Sequence, residues 1–248
     1  MTLIMRTLLF FLLILSGLSV HAQIEYPNNS WSKSPERGNG QVITEDRQVG
    51  PFTEVEACCS FRVELTQGPT AVRVEGESNL LQYVVTEVYG NRLDIHFKDG
   101  ASIKSKKDIT VYVSTPELTY VGAGAAADVY AASMFEGDEL RLDVSSGARL
   151  DMQFTGNELR ADANSGGHLR VSGRGRALDV DASSGAQIEA KDYAAEEVDA
   201  EASSGAGVEV NVSERLEASA NSGGRVRYRG DAPHINIRGG SGGSVSKG

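Results

Sequence analysis

Covalent staples and metal-ligand patterns are scarce in this chain. Among its 248 residues there are two cysteines, one tryptophan and four histidines. The two cysteines, Cys58 and Cys59, are adjacent, so they cannot tie distant segments together. A disulfide-stapled fold is excluded, and a hydrophobic core has to hold the domain. The pair lies in an alternating run. Val55, Ala57, Cys59, Phe61, Val63 and Leu65 fall on one face, and Glu56, Cys58, Ser60, Arg62 and Glu64 on the other. Strand neighbours point to opposite faces, the wrong geometry for bridging. One buried thiol, Cys59, and one exposed thiol, Cys58, are therefore expected, with a vicinal disulfide as the alternative. Beyond the N-terminal segment the histidines are His96, His168 and His234. They lie far apart and outside any Cys/His spacing typical of zinc.

Long apolar runs are equally scarce. The one present, Leu8 to Leu15, follows the lone charge of Arg6 and is relaxed by Ser16-Gly17-Leu18-Ser19. Val20-His21-Ala22 then places small or apolar residues before Gln23. That layout predicts a cleaved signal peptide over 1–22, hence an exported protein of the periplasm, the cell surface or the extracellular space. The run is too short for a membrane anchor of about 20 apolar residues. No cysteine follows the cut, so a lipid anchor is not expected. The mature chain has no transmembrane segment and is expected to be soluble or peripheral. Removing Arg6 from the 24 Lys+Arg leaves 23 against 34 Asp+Glu, a net charge of −11. Nucleic acid is a poor partner for that balance, because phosphate affinity rests on clustered Lys and Arg.

What is present is strand periodicity. Residues 23–48, with their Pro, Gly, Asn and Ser, read as a flexible leader in which Trp31 is a loosely docked aromatic. From Gly50 onward apolar and polar residues alternate, as in Leu93, Ile95 and Phe97 against Asp94, His96 and Lys98. One segment, Glu77 to Val88, fits a helical turn and a strand equally well. In the second half a Ser-Gly dipeptide recurs with Gly at 147, 166, 185, 205, 223 and 242, at spacings of 19, 19, 20, 18 and 19. Seven residues before each Gly stand Leu140, Leu159, Leu178, Val198, Leu216 and Ile235. Three after it stand Leu150, Leu169, Ile188, Val208, Val226 and Val245. Apolar columns between polar ones, at a period too short for propeller blades and without 3.6 periodicity, predict stacked β coils. The fold class is all-β: a single-stranded right-handed parallel β-helix with coils of ~19 residues over 49–248, its repeats clearest over 138–248. The Ser/Asn-Ser-Gly-Ala/Gly tetrads are its corners, with Gly supplying positive φ. The last coil is Gly-rich and has no evident cap, so its end is expected to fray.

From Gly50-Pro51-Phe52 onward the chain resembles the bacterial family named putative auto-transporter adhesin, head GIN domain. Val63-Glu64-Leu65-Thr66-Gln67-Gly68, the Asn91-Arg92-Leu93-Asp94-Ile95 strand and the Ser-Ser-Gly-Ala and Asn-Ser-Gly-Gly corners carry the resemblance. It implies a β-helix on exported bacterial proteins, of inferred function. No C-terminal translocator barrel or wall-sorting signal is expected, a departure from what that name implies. Cys58-Cys59 also sits where such sequences carry small or polar residues.

No catalytic constellation stands out, and the chain is expected not to be an enzyme. Corner serines recur without matching His or Asp, which argues against a nucleophilic triad. The Gly-Gly-His168 and Gly-Arg174-Gly segments lack the following helix that a phosphate cradle uses. The candidate site is an acidic stripe: Asp179, Asp181, Asp199, Glu201 and Glu217, which fall six and four residues before successive corner glycines. Like charges on adjacent rungs repel. The stripe therefore reads as a solvated face that keeps the sheet soluble, as a binder of Ca²⁺ or another ligand, or as a carboxylate pair for glycoside cleavage. No resident cofactor is expected apart from that Ca²⁺. The functional expectation is a non-enzymatic binding or adhesion module of the cell envelope, whose partner is a glycan or a protein. A carbohydrate-active enzyme and a structural spacer are the alternatives.

Overall fold

The computed structural model describes residues 34–248. The signal peptide expected at 1–22, the first part of the leader and Trp31 lie outside the described residues. In chain order the strands are β1 (Glu36–Arg37), β2 (Val42–Arg47), β3 (Glu54–Ala57), β4 (Arg62–Gln67), β5 (Ala71–Glu77), β6 (Val84–Tyr89), β7 (Arg92–Phe97), β8 (Ile103–Lys104), β9 (Thr110–Thr115) and β10 (Tyr120–Ala123). There follow β11 (Asp128–Ala131), β12 (Phe135–Glu136), β13 (Glu139–Val144), β14 (Arg149–Ala163), β15 (His168–Ala182), β16 (Gln187–Ala202), β17 (Gly207–Ala220), β18 (Arg225–Arg229), β19 (His234–Gly239) and β20 (Ser244–Lys247).

From β10 onward the strands pair in parallel, each with the strand one coil further on. Leu140 aligns with Leu159, Leu159 with Leu178, Leu178 with Val198, and Val198 with Leu216. This is a parallel β-helix whose coils follow the corner spacing. The aligned residues form an interior column: Leu140, Leu159, Leu178, Val198 and Leu216 are buried. Burying each such side chain contributes about 1.5–3 kcal/mol, and repetition of the column is what drives the stacking. At the last coil the column opens, with Ile235 and Ile237 44% and 45% exposed, because among the described residues β19 is paired on one side only.

The corners are left-handed at two residues. Ser146 has φ 53° and Gly147 φ 71°, and the same pair of signs recurs at 165–166, 184–185, 204–205 and 222–223. A non-glycine residue there costs roughly 1–2 kcal/mol. Hydrogen bonds offset that cost: Ala148 N–H closes the turn on Ser145 O at 3.0 Å, and Gly147 N–H reaches Ser165 O of the next corner at 3.2 Å.

Cys58 and Cys59 belong to this same column of corners, which corrects the expectation of two free thiols. β3 ends at Ala57, and Cys59 and Ser60 take φ 67° and 62°, so the run across 55–65 is two strands and a turn. The turn removes the alternation that would have held the two side chains apart. The sulfurs form a disulfide between neighbours.

The N-terminal half departs from serial stacking. β3 is flanked by β7 on one side and β10 on the other, and β4 by β9 and β11. The coil made of β7 and β9 is thus outermost, and the chain recrosses the first coil to start β10. Antiparallel strands cover this end: β5 pairs with β9, β2 with β5, and β6 with β7. The segment 77–88 is a short 3-10 turn at Leu81–Tyr83 followed by β6, since pairing with β7 outweighs the helical spacing.

β1 and β2 also show that the flexible leader expected over 23–48 does not reach residue 48. Buried Glu77 helps fasten this stretch. Its carboxylate accepts N–H donors from Gly40 and Lys106 and the Ser105 hydroxyl. These bonds, the Lys106 amide foremost, hold its pKa below the ordinary value.

Candidate functional site

The register puts the five residues of the acidic stripe into two adjacent outward columns of one strand face. In the first, Arg160, Asp179, Asp199 and Glu217 are successive partners. In the second, Asp143, Asp162, Asp181 and Glu201 are. Partners on neighbouring strands lie about 4.8 Å apart, so the carboxylates form a ladder with one rung per coil. The second column runs further than the corner spacing reveals. Asp143 aligns with Gly122, Gly122 with Glu56, and Glu56 with Asp94. Glu56 and Asp94 escape a spacing argument because their coils stack out of chain order.

Gly122 interrupts the ladder for a steric reason. A Cβ there would lie 2.1 Å from Glu56 Oε2 and 2.6 Å from the Tyr120 hydroxyl oxygen. In the space left by the missing side chain, the Tyr120 hydroxyl donates to Glu56 at 2.9 Å. Burial raises the pKa of both groups, and the Glu56 charge raises that of Tyr120 further.

Burial and like charge act together at Asp162 and Asp199. Asp162 is pushed up to about 6, first by burial and then by the Asp143 charge, with Arg141 opposing. Arg141 lies 3.0 Å from Asp162 and 3.2 Å from Asp143, so one guanidinium serves two carboxylates. Asp199 is raised by burial and by Asp179 and Glu217. Positive charge is closer to the stripe than its composition suggests. Arg215 pairs with Glu217, Arg176 lies 3.5 Å from Glu197, and Arg238 partly offsets the shift at Asp199. Ala177, aligned between Glu158 and Glu197, leaves a groove of about 290 Å³ bordered by Asp179, Asp199 and Glu217. Among the described residues, no three His, Cys, Asp or Glu side chains converge as a metal site requires.

The strand face beyond the corner differs. There Arg170 meets Glu189 at 2.9 Å, Arg227 meets Glu209 at 2.9 Å, and His168 lies 3.5 Å from Glu189. Opposite charges on adjacent rungs neutralise that face, so the excess negative charge belongs to the other one.

The profile of the family described as putative auto-transporter adhesin, head GIN domain, matches residues 51–232. No curated protein matches the chain. A solved structure from Bacteroides fragilis, described as a "putative adhesin", superposes with a TM-score of 0.80 at 19% identity, over 86% of this chain and 99% of its own. One from Parabacteroides distasonis, described as a "putative lipid binding protein", gives 0.72 at 18% identity, over 87% and 100%. A "putative adhesin" from Parabacteroides merdae gives 0.72 at 20% identity, over 87% and 100%. At these identities the likeness concerns the fold. With a family profile matched across most of its length, the chain belongs to the family described as "putative auto-transporter adhesin, head GIN domain".

Proposed function

We propose that this protein is an exported, non-catalytic binding module of the cell envelope that engages its partner through the carboxylate ladder. The observation that supports this reading is the asymmetry between the two strand faces. One carries Asp94, Glu56, Asp143, Asp162, Asp181 and Glu201 in a single register column. The other is paired off. A rigid row of like charges at strand spacing suits an extended cationic partner, a basic protein segment or an amine-bearing glycan, because successive rungs act together. Export rests on the signal-peptide pattern at 1–22 and on the family's description as an adhesin. The experiment is protease accessibility on intact cells, with lysed cells as the control. Digestion on intact cells supports adhesion, whereas protection until lysis removes the surface-adhesin part of the reading.

The raised pKa of Asp162 also suits a general acid, which keeps polysaccharide cleavage as a second reading. It requires turnover that Asp162→Asn abolishes. Absence of turnover on acidic and neutral polysaccharides removes it.

A further inference from the structure

The column of corners ends at the disulfide, and a hollow is left there. Elsewhere a four-residue corner sits on the corner of the next coil. Ser60 N–H donates to Ala125 O at 3.1 Å on one side of the Cys58–Cys59 turn. On the other side, the connection from β7 to β9 spans residues 98–109 and swings outward to pair β8 with β1. No backbone N–H of that connection reaches Cys59 O among the described residues. The gap is a cavity of about 370 Å³, within the size range of small-ligand sites. Cys59, Phe61, Phe97 and Ile103 form its apolar lining, and Lys106 and Lys107 stand against Asp108 at its edge. Cys59, Phe97 and Ile103 are only partly buried, and the Phe61 and Phe97 ring centroids lie 4.4 Å apart. Glu77 holds the edge in place through Ser105 and the Lys106 amide.

Charge points to the occupant. In a chain of net charge −10, four of seven lysines (Lys98, Lys104, Lys106 and Lys107) fall within this one connection. Lys191 and Lys247 are paired with carboxylates at 3.6 and 2.6 Å. Among the described residues no carboxylate lies within 4.0 Å of the side-chain nitrogens of the four loop lysines. We infer that this hollow binds a single amphipathic anion, its apolar part on Phe61, Phe97, Ile103 and the disulfide and its acidic head on Lys106 and Lys107. The inference is independent of the ladder and of adhesion.

The test is titration of the purified chain with 1-anilinonaphthalene-8-sulfonate, followed by displacement with monomeric decanoate or with decanol. The expected result is saturable fluorescence at one site per chain, displaced at least tenfold more effectively by decanoate than by decanol. Lys106→Glu/Lys107→Glu, a change of exposed side chains, should weaken binding at least tenfold with an unaltered denaturation curve. Ile103→Asp should weaken it likewise, and Lys191→Glu should leave it unchanged. Equal binding by the double lysine variant would overturn the inference. So would displacement by phosphatidylglycerol vesicles but not by decanoate, which would make the lysines a membrane-facing patch.

Discussion

Neutralising one rung of the ladder at Asp162 should stabilise the protein, although it removes an ion pair. In the folded chain the Asp162 carboxyl is raised from 3.8 to about 6. Well below pH 3.8 the group is protonated in the folded and unfolded chains alike and costs almost nothing. As pH rises toward 6 the unfolded chain releases the proton and the folded chain keeps it, so stability falls. Above about 6 the whole cost is present. Taken at face value the shift corresponds to about 3 kcal/mol. The side chain is 39% exposed, and solvent screening reduces that to about 1 kcal/mol. Asp162→Asn loses the Arg141 contact, worth a few tenths of a kcal/mol at an exposed site, while Arg141 keeps Asp143. The expected net gain at pH 7.5 is somewhat under about 1 kcal/mol, seen as a rise in Tm of roughly 2–3 °C for a domain of this size. It should shrink to a small fraction at pH 4 and diminish in 0.5 M salt. Thermal and urea unfolding at both pH values measure it. A destabilised variant at pH 7.5, or an equal gain at both pH values, would refute the account of strain in the ladder.

Three other outcomes follow from single groups. Tyr193 is fully buried, and its hydroxyl has no hydrogen-bond partner among the described residues; burial pushes its pKa up to about 12. Tyr193→Phe should therefore stabilise by about 1–3 kcal/mol in urea unfolding, and a loss of stability would show a partner for the hydroxyl. Glu77 is held below 4.5 in the folded chain, so its contribution is complete above that value and is lost as pH falls through the lower folded pKa. Glu77→Gln should cost most near neutral pH and least in acid, and a pH-independent cost would contradict the hydrogen-bond account. Thiol titration of the denatured, unreduced protein should find no free thiol, and two per chain after a dithiol reductant. Two thiols before reduction would restore the expectation drawn from the alternating run.

The repeated half of the fold was legible because each coil aligns its apolar columns with the next. Leu140 to Leu216 could be stacked from spacing alone, and the interior column bears this out. The five stripe residues could be placed on one strand face by the same arithmetic. The rest depended on contacts that leave no period. β7 and β9 lie outside β3 and β4 although they come later in the chain, so Glu56 and Asp94 extend the ladder without any regular spacing. β2 finds its partner thirty residues on in β5, which is why a Gly- and Asn-rich stretch read as leader is instead ordered from β1 onward. At Cys58-Cys59 unbroken alternation hid a corner, because the turn residues happen to continue the apolar-polar pattern. Conformation at Cys59 and Ser60, not side-chain polarity, marks that turn.

The measurement that tests the central claim most directly is binding of the purified protein to isolated bacterial cell envelopes, compared between two variants. One, Asp162→Asn/Asp181→Asn/Glu201→Gln, neutralises the ladder, and the other, Glu189→Gln/Glu209→Gln, alters the paired face. The account predicts at least tenfold weaker binding for the first, steeper loss of wild-type binding with salt, and little change for the second. Equal binding by all three proteins would contradict a function carried by the carboxylate ladder.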